Sequence, residues 1–171
     1  MGSCAAPSAK GDDKFITTDY LQQCPFSKAY GLAGLRVGYG LASHPELVNL
    51  LNRVRTPFNI NRSAQAAAVV ALGDQQHVND SIALVSAQRD MMSAQLTALG
   101  FRVAPSCANF LFFDCGQPAA ELAQRLLCDG VIIKPWREKG YEHWIRVSVG
   151  NEQDNQQFIR SLKRILAEDA A

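Results

Sequence analysis

One stripe of apolar residues governs what the second half of this chain can become. Val78, Ile82, Val85, Met92, Leu96 and Leu99 follow one another at helical steps, interrupted where Arg89 occupies the stripe, and Gly100 closes the run. That period predicts a long amphipathic helix with one face committed to a core. A glycine just past the last apolar turn is a common helix stop, and Arg89 fits if its aliphatic stem packs while its head reaches water. Such a helix needs a second layer, and the residues that follow supply it. Segments 101–104 and 109–114 read as strands, the latter (Asn109-Phe110-Leu111-Phe112-Phe113) apolar enough to be central. Residues 119–129 read as a helix between Pro118 and Gly130, Val131-Ile132-Ile133 as a short buried strand, and 144–149 as another. A last helix turns Phe158, Ile159, Leu162, Ile165 and Leu166 inward. The order α-β-β-α-β-β-α from residue 78 onward predicts a two-layer α+β domain of helices on a small sheet.

The first half has a different texture. Residues 1–23 are small and polar with no sustained period and are expected to be poorly ordered, apart from an extended piece at Phe15-Ile16-Thr17-Thr18. Glycines stud the stretch 30–40, where Leu35, Val37 and Tyr39 alternate as in a short strand. Ser43 is placed to cap a helix with Pro45 in its first turn and Leu47, Val48, Leu50, Leu51 and Val54 along it, stopped by Pro57. Residues 64–72 form an alanine-rich helix ending at Gly73.

Composition removes several function classes. Hydrophobic residues make up 47% and charged residues 19% of the 171, as in soluble globular chains. The net charge of +1, without basic clusters, gives no footprint for nucleic acid. No apolar run approaches the roughly 20 residues of a membrane-crossing helix. The five cysteines are scattered and never spaced as C-x-x-C, so reduced structural thiols are expected rather than a disulfide framework or a metal site. His44, His77 and His143 are too dispersed for a metal site or a triad and read as surface residues. With no signal-peptide core, and with Ala6 where a myristoylation start needs Ser or Thr, the cytoplasm is the expected compartment.

Three stretches carry chemistry together: Ser27-Lys28-Ala29-Tyr30-Gly31-Leu32-Ala33-Gly34-Leu35-Arg36-Val37-Gly38-Tyr39, Asn109-Phe110-Leu111-Phe112, and Trp144-Ile145-Arg146-Val147-Ser148-Val149-Gly150. The first resembles the cofactor-lysine signature of fold-type I pyridoxal-phosphate enzymes, and "FSKAYGLAGLRVGYG" is nearly the form found in the histidinol-phosphate aminotransferase family. The likeness continues in order through "PFNIN" (57–61), "ANFLFF" (108–113), "GVIIKPW" (130–136) and "IRVSVG" (145–150), so it covers about 25–167. Five ordered motifs are specific where a lone Ser-Lys would mean nothing.

The resemblance implies the site residues. The family holds pyridoxal 5′-phosphate covalently through a lysine amine, here Lys28, which also moves a proton between substrate and cofactor carbons. Such a lysine works with a lowered pKa, which a site enclosed by the glycine-rich turn would supply by desolvation. Ser27 and Arg36 resemble the ligands of the cofactor phosphate, one hydroxyl and one paired guanidinium donor. Arg146 resembles the arginine for an anionic substrate group, and Lys134 stands where many members carry an arginine for the substrate phosphate, so charge is kept while the bidentate fork is lost. Asn109 is a further candidate near the substrate. Each has a plainer alternative: a solvated surface lysine for Lys28, a strand-end arginine for Arg36, a solvent-facing strand arginine for Arg146, and a strand-initiating asparagine for Asn109.

What precedes Lys28 departs from the family. Its large domain normally supplies a glycine-rich phosphate loop, a stacking ring, an asparagine and an aspartate for the pyridine nitrogen, and "GDDKFITTDY" does not reproduce that aspartate's context. The chain is therefore expected to be α/β, the C-terminal portion of the fold-type I transferase fold with most of the large domain missing. Three regions follow: 1–24, an unrelated N-terminal stretch; 25–75, a remnant of the cofactor-binding domain; and 76–171, a small α/β domain. Segment 25–75 should leave apolar surface uncovered. The implied activity exchanges an amino group between histidinol phosphate or imidazole acetol phosphate and 2-oxoglutarate or glutamate, in histidine biosynthesis. Alternatives are another fold-type I enzyme (an aromatic aminotransferase or a threonine-phosphate decarboxylase) and a non-catalytic fragment that folds or binds a subunit. Little turnover is expected from the chain alone. Family members are homodimers, and the residues leave open whether this chain pairs.

Overall fold

The computed structural model describes residues 21–169, with side chains from residue 26 onward. The expected extended piece at 15–18 lies outside the described residues. Elements run β1 (Leu21–Pro25), β2 (Gly38–Ala42), α1 (Pro45–Val54), α2 (Arg62–Gly73), α3 (Gln75–Ala98), β3 (Arg102–Val103), β4 (Phe110–Asp114), α4 (Ala119–Cys128), β5 (Lys134–Pro135), β6 (Trp144–Ser148) and α5 (Glu152–Asp169), with a 3-10 turn at Ala33–Leu35. The described residues divide into two compact units, one ending at Ser81 and the other starting at Ile82, and the boundary falls within α3.

In the first unit, β1 and β2 pair antiparallel from Pro25↔Gly38 to Leu21↔Ala42. Residues 21–24, expected to be poorly ordered, are thus strand, because a partner 15 to 21 positions on supplies their ladder. The strand expected through Leu35, Val37 and Tyr39 starts only at Gly38, since the 3-10 turn and a left-handed Arg36 (φ 52°) break the alternation before it. Helix α1 begins at Pro45 after His44, not after a Ser43 cap, and proline's fixed φ suits that first position. Its apolar residues Val48, Leu50, Leu51 and Val54 are exposed, as are Val69, Val70 and Leu72 of α2 and, completely, Phe58. Segment 25–75 therefore does present apolar surface to solvent. Asn61 caps α2 by accepting the Ala64 N–H at 2.7 Å. A small core joins Phe26 and Val37 to Ala64 and Ala68 of α2.

The second unit is the two-layer domain that the long stripe demands. Four antiparallel strands lie in the order β3-β4-β6-β5. The register Leu111↔Val147 and Phe113↔Ile145 puts four buried side chains on one sheet face. There they meet Met92 and Leu96 of α3, Leu122 and Leu126 of α4, and Phe158, Ile159, Leu162 and Ile165 of α5. Leu99 and Gly100 (φ 88°) end α3 as expected. Arg89 is only 16% exposed, its head held by the Ala108 carbonyl and Asp90 rather than free in water. Residues 131–133 are not a strand and Ile132 is 84% exposed. After the left-handed Gly130, pairing with β6 begins only at Lys134. Asn155 is the buried polar residue of note: it accepts the Gly150 N–H and donates to the Gly150 carbonyl and to Gln88.

Candidate active site

The loop from Phe26 to Val37 presents the first group of candidates. Phe26, 2% exposed, is pinned by its N–H to the Val37 carbonyl (3.3 Å) and by its carbonyl to the Leu32 N–H (3.0 Å). Its ring packs against Tyr30 at 4.9 Å and Tyr39 at 5.4 Å. Inside this closure the Lys28 carbonyl accepts the Gly31 N–H at 3.0 Å, and Gly31 (φ 68°) takes the left-handed turn that glycine adopts without cost. Ser27 and Arg36 are the neighbours of the two residues that close the loop. Ser27 is half-buried, while Lys28 and Arg36 are exposed.

The expected desolvation of Lys28 is therefore absent among the described residues. A Cβ built on Gly31 or Gly34 would meet no heavy atom within 4 Å, so the glycine-rich turn is open rather than enclosing. Arg36 adopts the left-handed conformation without being glycine, at a cost of roughly 1–2 kcal/mol. One guanidinium nitrogen donates to the Ala33 carbonyl at 3.1 Å, which holds the head over its own turn.

The second group lies on the small sheet, on the face opposite the core. Lys134 and Arg146 are direct cross-strand partners, and Arg146 pairs on its other side with Phe112. Both cations are legible in the sequence; that they are neighbours follows only from the strand register. Arg146 lies over the Phe110 ring at 4.6 Å and Lys134 over Trp136 at 4.9 Å. Phe112 meets Trp136 edge-on at 5.3 Å and stacks on Trp144 at 4.7 Å, under Arg102. These rings lie in the family motifs, but sequence alone gives none of them a role of its own. Their signal was the spacing of two in Phe110/Phe112, Lys134/Trp136 and Trp144/Arg146, which places each pair on one face of an extended strand. Asn109 stands just before β4 with its side chain exposed, and its carbonyl accepts the Val149 N–H at 2.9 Å.

Beside this face, Asp114 is held below the usual carboxylate range by the Gly116 N–H and by Arg102. Burial pushes the Cys115 thiol up. No group of three or more metal-ligating side chains occurs among the described residues. Nor is any helix there long and apolar enough to cross a membrane.

Comparison with known proteins gives one consistent answer. The chain is 50% identical over 141 residues to "Histidinol-phosphate aminotransferase 1" of Mesorhizobium japonicum, covering 82% of this chain and 38% of that protein. It is 45% identical over 161 residues to "Histidinol-phosphate aminotransferase 3" of Rhizobium meliloti, covering 94% and 44% respectively. That alignment omits only ten residues (171 − 161), so it reaches into the stretch 1–24 that sequence reading set apart as unrelated. Among solved structures, the chain superposes on the histidinol-phosphate aminotransferase of Clostridium acetobutylicum with a TM-score of 0.80 at 25% identity, covering 86% of this chain and 46% of that one. The Sinorhizobium meliloti enzyme, solved in complex with pyridoxal-5′-phosphate, gives 0.78 at 28% identity, covering 86% and 41%. The chain spans less than half the length of these relatives, and its fold is that of the matching portion of the fold-type I aminotransferases. The family model for aminotransferase class I and II matches residues 25–162, a span holding both groups of candidate residues, and the chain belongs to that family.

Proposed function

We propose that this chain serves transamination between histidinol phosphate and 2-oxoglutarate, a cytoplasmic step of histidine biosynthesis, with pyridoxal 5′-phosphate held at Lys28. The observation that carries the reading is the loop 26–37: an internally hydrogen-bonded turn whose sequence carries a primary amine, a hydroxyl and a guanidinium. That donor set fits a phosphorylated aldehyde, and the open side at Gly31 and Gly34 leaves room for one. The left-handed Arg36 supports it, since backbone strain tends to persist where a side chain is required. When bound, the cofactor supplies an electron-accepting ring that eases proton removal from the carbon bearing the amino group.

The remaining chemistry belongs to the chain. Ser27 and Arg36 would donate to phosphate oxygens; the Ala33 carbonyl occupies one Arg36 nitrogen and leaves other donors of the fork for the anion. Lys28 would hold the aldehyde end through its Nζ, and the same amine is the chain's group for moving a proton. Lys134 and Arg146 form the anion subsite for the substrate, and Asn109 is proposed beside them at the start of β4.

Reduction with borohydride after incubation with pyridoxal phosphate, followed by peptide mass spectrometry, tests the assignment. One modification at Lys28, lost in Lys28→Ala and reduced in Arg36→Ala, is the expected result. Modification spread evenly over the lysines refutes the site. The exposed apolar side chains of the first unit favour a second reading, a chain that folds and binds without turnover. Robust conversion of histidinol phosphate with 2-oxoglutarate by the purified chain excludes it.

A further inference from the structure

Lys134 and Arg146 face each other across two strands, and like charges so placed repel. Among the described residues neither has an ion-pair partner. Each of the two unpaired cations instead lies over an aromatic ring, Arg146 over Phe110 at 4.6 Å and Lys134 over Trp136 at 4.9 Å. Those rings are fixed from elsewhere. Trp136 donates its backbone N–H to the Trp144 carbonyl at 2.8 Å and meets Phe112 edge-on, while Phe110 is locked into β4 opposite Ser148.

We infer that Phe110 and Trp136 are positioning residues, each ring holding one of two mutually repelling cations so that both address a single anion. The inference rests on reading Lys134 and Arg146 as the anion subsite. A lysine on a flexible four-carbon stem would otherwise swing away from its neighbour, and the ring quadrupole gives the ammonium a place to stay without neutralising it. A carboxylate partner would hold the cation equally well but would compete with the ligand. An aromatic ring holds it and leaves its charge available.

The test uses the full chain and histidinol phosphate as probe, with binding followed by calorimetry at millimolar concentrations. Trp136→Leu and Phe110→Leu should each weaken binding about two- to fivefold, the factor corresponding to about 0.5–1 kcal/mol for an exposed cation–π contact. Trp136→Phe, which keeps a ring, should restore most of the loss. Lys134→Gln and Arg146→Gln test the underlying reading. If these two, or the wild type, show no dependence on the cations or no binding, the anion subsite itself fails and the inference goes with it. If they weaken binding while both leucine variants bind like wild type, the subsite stands and the positioning role is overturned. A readout on the wild-type fold guards against misfolded variants. The Lys134 side-chain methylene signals, assigned by their loss in Lys134→Arg, should show an upfield ring-current displacement, and ordinary lysine positions for them contradict the proposal outright.

Discussion

Replacing Asn155 with alanine takes away three hydrogen bonds at one buried point. Its amide oxygen accepts the Gly150 N–H at 2.9 Å, and its amide nitrogen donates to the Gly150 carbonyl at 3.0 Å and to Gln88 Oε1 at 2.9 Å. Asn155 is 2% exposed, while Gly150 and Gln88 are half-buried, so water can reach part of what the substitution strands. Each orphaned buried group costs about 1–3 kcal/mol, and partial rehydration puts the sum at about 2–4 kcal/mol. Because the bonds tie the β6–α5 turn to α3, the loss falls on the second unit. Urea unfolding followed by the fluorescence of Trp136 and Trp144 reads that unit directly. With a slope of about 2 kcal/mol per molar urea, the midpoint should fall by roughly 1–2 M at unchanged slope. A change below about 0.5 kcal/mol would place Asn155 with ordinary surface positions and refute the argument.

Further outcomes follow from the same geometry. Asp114 has its carboxyl lowered by the Gly116 N–H first and by Arg102 also, so its contribution is present above the unfolded carboxylate pKa and is lost as pH falls through the lowered value. An acid titration of stability should therefore lose part of its slope below about pH 4 in Asp114→Asn, and identical profiles would contradict the assignment. Cys115 is buried, with its thiol donating to the His143 and Gln117 carbonyls, whereas Cys107 and Cys128 are exposed. Iodoacetamide should label the latter two in the native chain and Cys115 only after unfolding, as peptide mapping will show. Arg164 bridges Asp129 at the end of α4 to Glu168 on α5, all near the surface. Arg164→Ala should lower the urea midpoint only slightly, and a loss that persists undiminished in high salt would point to packing instead.

The second unit was the more legible half because its signals are periodic and local. The stripe from Val78 to Leu99, the glycine stops at Gly100 and Gly130, and the apolar run in β4 each specify an element by spacing alone. Val131-Ile132-Ile133 misleads because an apolar triplet looks the same in a strand as in a connection whose outer two residues pack on the core, and only pairing with β6 decides. The first unit resisted for a different reason. Its β1–β2 ladder depends on a partner across a long loop, and the left-handed backbone at Arg36 has no signature in a residue type that seldom adopts it. Lys28, Arg36, Lys134 and Arg146 were legible through motif order, yet the openness around Lys28 and the pairing of Lys134 with Arg146 are products of tertiary register. The rings under the two cations were visible as i, i+2 spacing but had no meaning until the strands were set side by side.

The four-stranded sheet ends on both sides in strands of two residues, β3 with Arg102 and β5 with Lys134 and Pro135. Pro135 has no N–H to offer a newcomer, and the neighbouring charges resist stacking. A growing fibril would need a longer row of free donors than either margin presents. The charge that is proposed to receive a substrate anion thus also helps to keep one molecule from templating the next.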